Sequence, residues 1–404
     1  MSLLEKFDVL NPEVINNPYP YFTELREKAP LFWLESLQAH AVSRYEDVAY
    51  ILKNPALFSS VDIRVNGRLA SERSPLDGSV SNLVNSDPPI HTRLRGLVSR
   101  AFLPKRISEM EPRVLELSRS FVAEMTARDE FDFMDGLASP LPVTVISEML
   151  GIEVSRRRDF KRWSDSLIHS GAQTLRDGKP PEEAVRNARE MSDYMAEIAE
   201  KRRLEPRGDL ISLLVQSSDG VEALSPQEVN SFAIILLIAG NETTTNLLGN
   251  SLLSLIRNPE QYEWLRRNPT REACARVAEE TLRYDSPVLG LMRRTTQEVE
   301  LSGGKLPAES TVVVLVGSAN HDPRKFANPE RFDPQRDTHG LMSFGHGIHF
   351  CLGAPLTRLE APVALEELME RAPRLGFASR QPERIDYGQS FFLRGPRSLW
   401  LSKN

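Results

Sequence analysis

From Ser225 to Asn258 the chain carries one unbroken helical signal, and no other feature limits the fold as strongly. Ser225 stands at the N-cap, Pro226 at the first helical position, and Glu228 completes a capping box. Nothing stops the helix before Asn258-Pro259, so it spans about 32 residues, on the order of 48 Å. That length crosses a whole globular domain. Its most apolar run, FAIILLIAG (Phe232–Gly240), is only nine residues long and passes directly into the polar NETTTN. A membrane span needs roughly 18 or more, so no membrane anchor is expected. The opening MSLLEKFDVLNPEV has neither a basic nor an apolar targeting region. A soluble, cytoplasmic protein is the expectation.

The rest of the chain supplies material to pack around that helix. It is 40% hydrophobic and 26% charged over 404 residues, enough for a large core. A net charge of -6 argues against a nucleic-acid partner. No repeat and no long linker divides it, so one body over 1–404 is expected, mainly α with smaller β-sheets. Apolar residues at three- and four-residue spacing predict helices over 90–102, 106–127, 139–151, 155–172, 181–204 and 208–217. Further helices are predicted at PTREACARVAEETLRYD and PLTRLEAPVALEELMERAP. The helix-rich core thus runs over about 90–290 and 355–372. Strands are predicted in LFWLESLQAHAVSRY, in the hairpin-like VELSGGKLPAESTVVVLVGSANHD and in FFLRGPRSLWLSK, giving β-rich parts at about 30–60, 295–320 and 385–402. Between Phe58 and Pro89 turn residues occur throughout, and a loop that long inside a compact body is usually functional or mobile.

The chain has two cysteines, Cys274 and Cys351, too few for a disulfide framework. Cys351 lies in FGHGIHFCLG, among four aromatic or imidazole rings and three glycines. Gly345, Gly347 and Gly353 allow sharp turns and close approach to a bulky group. The cysteine precedes a predicted helix, whose free N–H groups favour a thiolate. A cysteine hydrolase would use His346 or His349 as base, but a side chain two residues away in an extended loop points elsewhere. A zinc site lacks paired ligands, and a phosphate loop lacks its Gly-Lys-Ser/Thr ending. The remaining use is a single thiolate on a haem iron.

FGHGIHFCLG resembles the haem-binding loop of the cytochrome P450 family, Phe-Gly-x-Gly-x-His-x-Cys-x-Gly, at every fixed position. The resemblance runs from about residue 15 to 400 and is closest to the soluble bacterial members. It implies the P450 fold, with haem b (iron protoporphyrin IX) held between the long central helix and the cysteine loop and its helix. Cys351 would be the axial ligand, with Phe344 and Gly353 part of its loop. AGNETT (Ala239–Thr244) is similar to the family's oxygen-activating motif. By that likeness Gly240 opens the helix groove, and Glu242 and Thr243 deliver the protons that splitting O2 requires. The competing reading has the threonines merely bonding back to the preceding turn. Glu280-x-x-Arg283 matches the family's buried pair, with Arg331 of NPERF as its third member. His91, Arg95, Arg293 and His349 stand where propionate partners are expected, with Arg293 preferred over Arg294. Leu356-Thr357-Arg358 departs from the usual Leu-Ala-Arg.

The implied activity is a haem-thiolate monooxygenase that hydroxylates a C–H bond of an apolar small molecule of fatty acid, terpenoid, steroid or macrolide type. The 60–88 loop, Ile235, Ala239, Val288, Leu289, Leu291, Phe391 and Phe392 are the expected pocket. O2 is the second substrate. With no flavin or iron–sulfur domain, electrons would come from a ferredoxin and its NAD(P)H-dependent reductase, docking near Arg100, Lys105 and Arg106. A monomer is expected. The alternatives are a peroxide-driven peroxygenase, which usually lacks the acid–alcohol pair, and a haem-binding or sensor protein, which does not need it.

Overall fold

In the computed structural model, which describes residues 2–69, 82–216 and 224–403, the helical signal at the centre becomes one helix, Pro226–Arg257, of 32 residues. Ser225 Oγ accepts from the Glu228 N–H and the Glu228 carboxylate accepts from the Ser225 N–H, so the capping box closes. Nineteen of its residues, from Val229 to Leu255, are buried. Among the described residues it is the one helix long and apolar enough to cross a bilayer. However, 67% of its most apolar window is buried within the protein. It is a core helix, and each fully buried leucine on it contributes roughly 1.5–3 kcal/mol.

The helices Pro140–Leu150, Arg157–Asp177, Glu182–Leu204, Arg271–Tyr284 and Ala354–Arg371 pack on it, and one large apolar cluster joins them. The helix Pro259–Arg267 was not anticipated; Asn258-Pro259 ends one helix and starts the next, with Pro259 at its first position.

A five-stranded sheet flanks the helices. Leu31–Leu34 pairs antiparallel with Ala39–Val42, which runs parallel to Thr311–Val314. Beyond it lie Leu291–Thr295 and Phe58–Ser59, both antiparallel. The hairpin Val299–Leu301 with Gly304–Leu306 forms as expected. FFLRGPRSLWLSK is a strand only at Trp400–Lys403, between Leu375–Phe377 and Glu130–Asp132. The long irregular stretch contains a small hairpin, Arg64–Val65 with Arg68–Leu69. Its signal was the dipeptide Asn66-Gly67, both at positive φ (51° and 74°), a two-residue hairpin turn. The part of that loop over 70–81 lies outside the described residues.

Glu280 and Arg283 are fully buried and joined by two hydrogen bonds of 2.9 and 2.8 Å. The third member differs from the expectation. Arg331 is exposed and offers only its carbonyl to Arg283 (3.2 Å). Arg336 supplies the side chain: its Nε donates to Glu280 (3.2 Å), and its other nitrogens to the carbonyls of Ala327, Asn328 and Arg331. The Asp333 N–H also donates to Glu280 (2.9 Å). A buried ion pair is tolerable only when all its polar atoms are satisfied in this way, and the network therefore fixes the irregular stretch leading into the cysteine loop. Arg336→Ala should cost about 1–3 kcal/mol in urea unfolding, while Arg331→Ala should leave the midpoint unchanged.

Candidate functional site

The cysteine loop is tied to itself. The Cys351 N–H donates to the Phe344 carbonyl (2.8 Å) and the Phe350 N–H to that of Gly347 (3.1 Å). Gly345 and Gly347 take φ of +70° and +69°, and a Cβ on Gly347 would lie 2.5 Å from the Leu52 carbonyl oxygen. Gly353 departs from the expected sharp turn. Its φ is -80°, and a side chain there would meet the Cys351 sulfur at an ordinary 3.9 Å. Its contribution is a backbone N–H, which acts on the sulfur together with that of Ala354. The Phe344 ring is buried and covered by the Arg358 guanidinium at 4.7 Å, which Glu279 holds from the other side.

Burial pushes the Cys351 thiol up, and the two N–H groups, Arg95 and Arg358 pull against it. A cation at the sulfur, such as a ligated metal, would favour the thiolate further. Among the described residues no group of three or more His, Cys, Asp or Glu is placed to hold a metal. Cys274 is different: it is fully buried, with its thiol pushed up to about 12 by burial, and acts as packing.

Beside the loop four basic groups converge. His91 and Arg95 come from the helix Ile90–Ser99, Arg293 from its strand and His349 from the cysteine loop. The His91 and His349 rings lie 4.4 Å apart. Burial, then Arg293 and His91, lower His349 to about 3, and burial lowers Arg293 to about 10. Burial also lowers His91 and Arg95. The one carboxylate acting on this group is Asp87, already bonded to Ser59 and Ser60. His91 Nε2 is buried without a partner. Desolvated bases with an orphaned nitrogen are relieved by a ligand bearing carboxylates, and the two propionates of haem fit this need. Strand alternation puts Arg294 elsewhere, on Val61 and Glu309.

On the long helix the Thr243 hydroxyl donates to the Ala239 carbonyl (2.6 Å). Glu242 accepts from Asn246 (3.3 Å) and borders a cavity of about 490 Å³ that Lys161, Asp165, Gln389 and Arg397 also line. Burial, aided by Asp165, raises its carboxyl; Asn246, Arg397 and Lys161 oppose this. Gly240 is also tightly packed, since a Cβ there would sit 3.0 Å from the Ile146 side chain. Asn241, which sequence reasoning passed over, donates to Ser164 (2.9 Å) and ties the helix Arg157–Asp177 to this turn.

Two expected pocket residues are corrected. Leu289 and Phe391 are 1% and 2% exposed, packed in an apolar cluster with Phe7, Phe22 and Leu315. Ile235, Val288, Leu291 and Phe392 are partly buried and Ala239 is exposed.

The family model for cytochrome P450 matches residues 9–398. The chain belongs to the cytochrome P450 family. It is 39% identical to cytochrome P450 107B1 of Saccharopolyspora erythraea, over 91% of this chain and 89% of that one. It is 36% identical to the 6-deoxyerythronolide B hydroxylase of the same organism, over 93% and 94%. The structure of CYP109E1 from Bacillus megaterium in complex with testosterone superposes with a TM-score of 0.86 at 36% identity, covering 97% and 99%. This P450 is accordingly a monooxygenase, and its cofactor is haem b. Arg293→Leu in this P450 should leave the fold intact and raise haem loss to apomyoglobin by about tenfold, one lost charge-assisted contact.

Proposed function

We propose that this P450 inserts one oxygen atom of O2 into a C–H bond of a bulky apolar molecule, using electrons from a separate ferredoxin and its NAD(P)H-dependent reductase. The observation that carries the reading is the adjacency in mid-helix of an acid and an alcohol, Glu242 and Thr243, with Glu242 half-buried and bordering a polar cavity. When bound, the haem supplies dioxygen activation, with Cys351 as its thiolate ligand.

The chain's own part is handling protons. Glu242, raised by burial, keeps a proton closer to neutral pH than an exposed carboxyl does, and the Lys161–Asp165 side of the cavity is its route to solvent. The Thr243 hydrogen is taken by Ala239, which leaves its oxygen able to accept. The backbonding read as an alternative use of this threonine is thus what orients it for that role.

Ile235, Ala239, Val288, Leu291 and Phe392 would line the substrate side. An apolar ligand is supported by relatives that hydroxylate 6-deoxyerythronolide B or bind testosterone. A separate electron donor is supported by Lys105 and Arg106, exposed on a short helix packed against the helix that follows Cys351. An acidic ferredoxin would meet them there.

With a surrogate ferredoxin system, the wild type should form product coupled to NAD(P)H. Thr243→Ala should divert the electrons to hydrogen peroxide, and Glu242→Gln should slow turnover by about a hundredfold. Product from peroxide but never from electrons would instead make it a peroxygenase. Bound haem without product under either condition, over a broad substrate panel, would make it a binding or sensor protein.

A further inference from the structure

Asn250 is a buried amide that takes no part in the chemistry above. It lies on the long helix, 0% exposed, and its Nδ2 donates to two carbonyls, those of Asp285 (2.8 Å) and Arg394 (3.0 Å). Seven residues, close to two turns, separate it from Thr243, so the two occupy one face of the helix. Its Oδ1 is buried without a partner. The amide is therefore held by what it donates.

The two carbonyls end two segments that pair with each other. The Leu289 N–H donates to Phe392 (3.0 Å), the Arg394 N–H donates to Pro287 (2.9 Å), and Val288 bridges Leu393 antiparallel. The ladder stops at Asp285, whose own N–H is committed to the helix carbonyl of Thr281 (2.9 Å). Where the next rung would stand, the single NH2 group of Asn250 serves both carbonyls. Along the ladder, Leu289 and Phe391 are locked into the apolar cluster with Phe7 and Phe22, while Val288 and Phe392 stay partly buried. The Phe392 ring lies over Gly290, where a Cβ would meet it at 3.3 Å.

The seat of this ladder on the long helix is made by glycines. A Cβ on Gly249 would lie 2.8 Å from Pro396, and one on Gly395 would run into the Asn246 side chain. Arg394 closes the far side, with its guanidinium on the Asp285 carboxylate (2.6 Å) and on the carbonyls of Ile15 (3.0 Å) and Asn16 (3.2 Å). A wall seated this way yields to a ligand only by breaking buried hydrogen bonds.

We propose that Asn250 is a positioning residue for substrate selection: its double hydrogen bond fixes the Val288–Phe392 wall at a set distance from the long helix and so limits the bulk that the substrate side accepts. The selective effect rests on the reading of Val288 and Phe392 as lining that side; the clasp itself does not.

The test uses the haem-loaded protein, its Asn250→Leu and Asn250→Ser variants, and Phe392→Ala as a control. Amide hydrogen exchange over 287–289 and 392–394 should be about tenfold faster in Asn250→Leu than in the wild type, with Asn250→Ser between them. Selection is read with two probes that ligate haem iron, imidazole and the bulky azole bifonazole, from their Soret shifts. The ratio of their dissociation constants should move about tenfold toward bifonazole in Asn250→Leu. It should move less in Asn250→Ser, which decides the matter if the leucine variant does not hold haem. Phe392→Ala should move the ratio in the same direction. Exchange as in the wild type, or an unchanged ratio beside a shifted one in Phe392→Ala, overturns the proposal. If exchange quickens but neither the Asn250 variants nor Phe392→Ala moves the ratio, the clasp stands and the reading of Val288 and Phe392 as the substrate side fails.

Discussion

Keeping a sulfur anion away from bulk water is the constraint around which this protein is organised. Burial alone drives the Cys351 thiol toward its neutral form, and the fold answers with two N–H groups at a helix start and the charges of Arg95 and Arg358. These donors are fixed in place. The N–H groups belong to a helix that packs on the long central helix, and the loop before it is turned by Gly345 and Gly347 and closed by the Phe344–Cys351 hydrogen bond. Upstream, the Glu280–Arg283–Arg336 network holds the irregular chain that delivers the loop.

The basic cluster follows from the same logic. His91, Arg95, Arg293 and His349 are drawn from a helix, a strand and a loop, and each loses basicity by burial. Four such groups have no reason to converge unless an anionic group relieves them. A haem held by Cys351 and by these four bases would satisfy both demands together. The five-stranded sheet holds Arg293 in register, opposite Val312.

Much of this was legible because it is local. A capping box at one end and Asn-Pro at the other define the long helix, and the glycine spacing around Cys351 has few other uses. What could not be read depends on three-dimensional neighbours. Arg331 and Arg336 are both arginines in one irregular stretch, and only the fold reveals which one turns inward. Leu289 and Phe391 are apolar whether they face a pocket or a core, and the cluster around Phe7 and Phe22 takes them. The parallel pairing of Ala39–Val42 with Thr311–Val314 joins segments far apart in sequence. The Thr357 hydroxyl lies 3.5 Å from that of Thr244, a contact between two helices that no local spacing reveals.

The thiolate is the central claim, and the absorption spectrum of the dithionite-reduced protein under carbon monoxide tests it most directly, measured beside Cys351→Ala. The account predicts a strongly red-shifted Soret band in the wild type that the variant lacks. A histidine-type band in the wild type, or the same red-shifted band without Cys351, would contradict it.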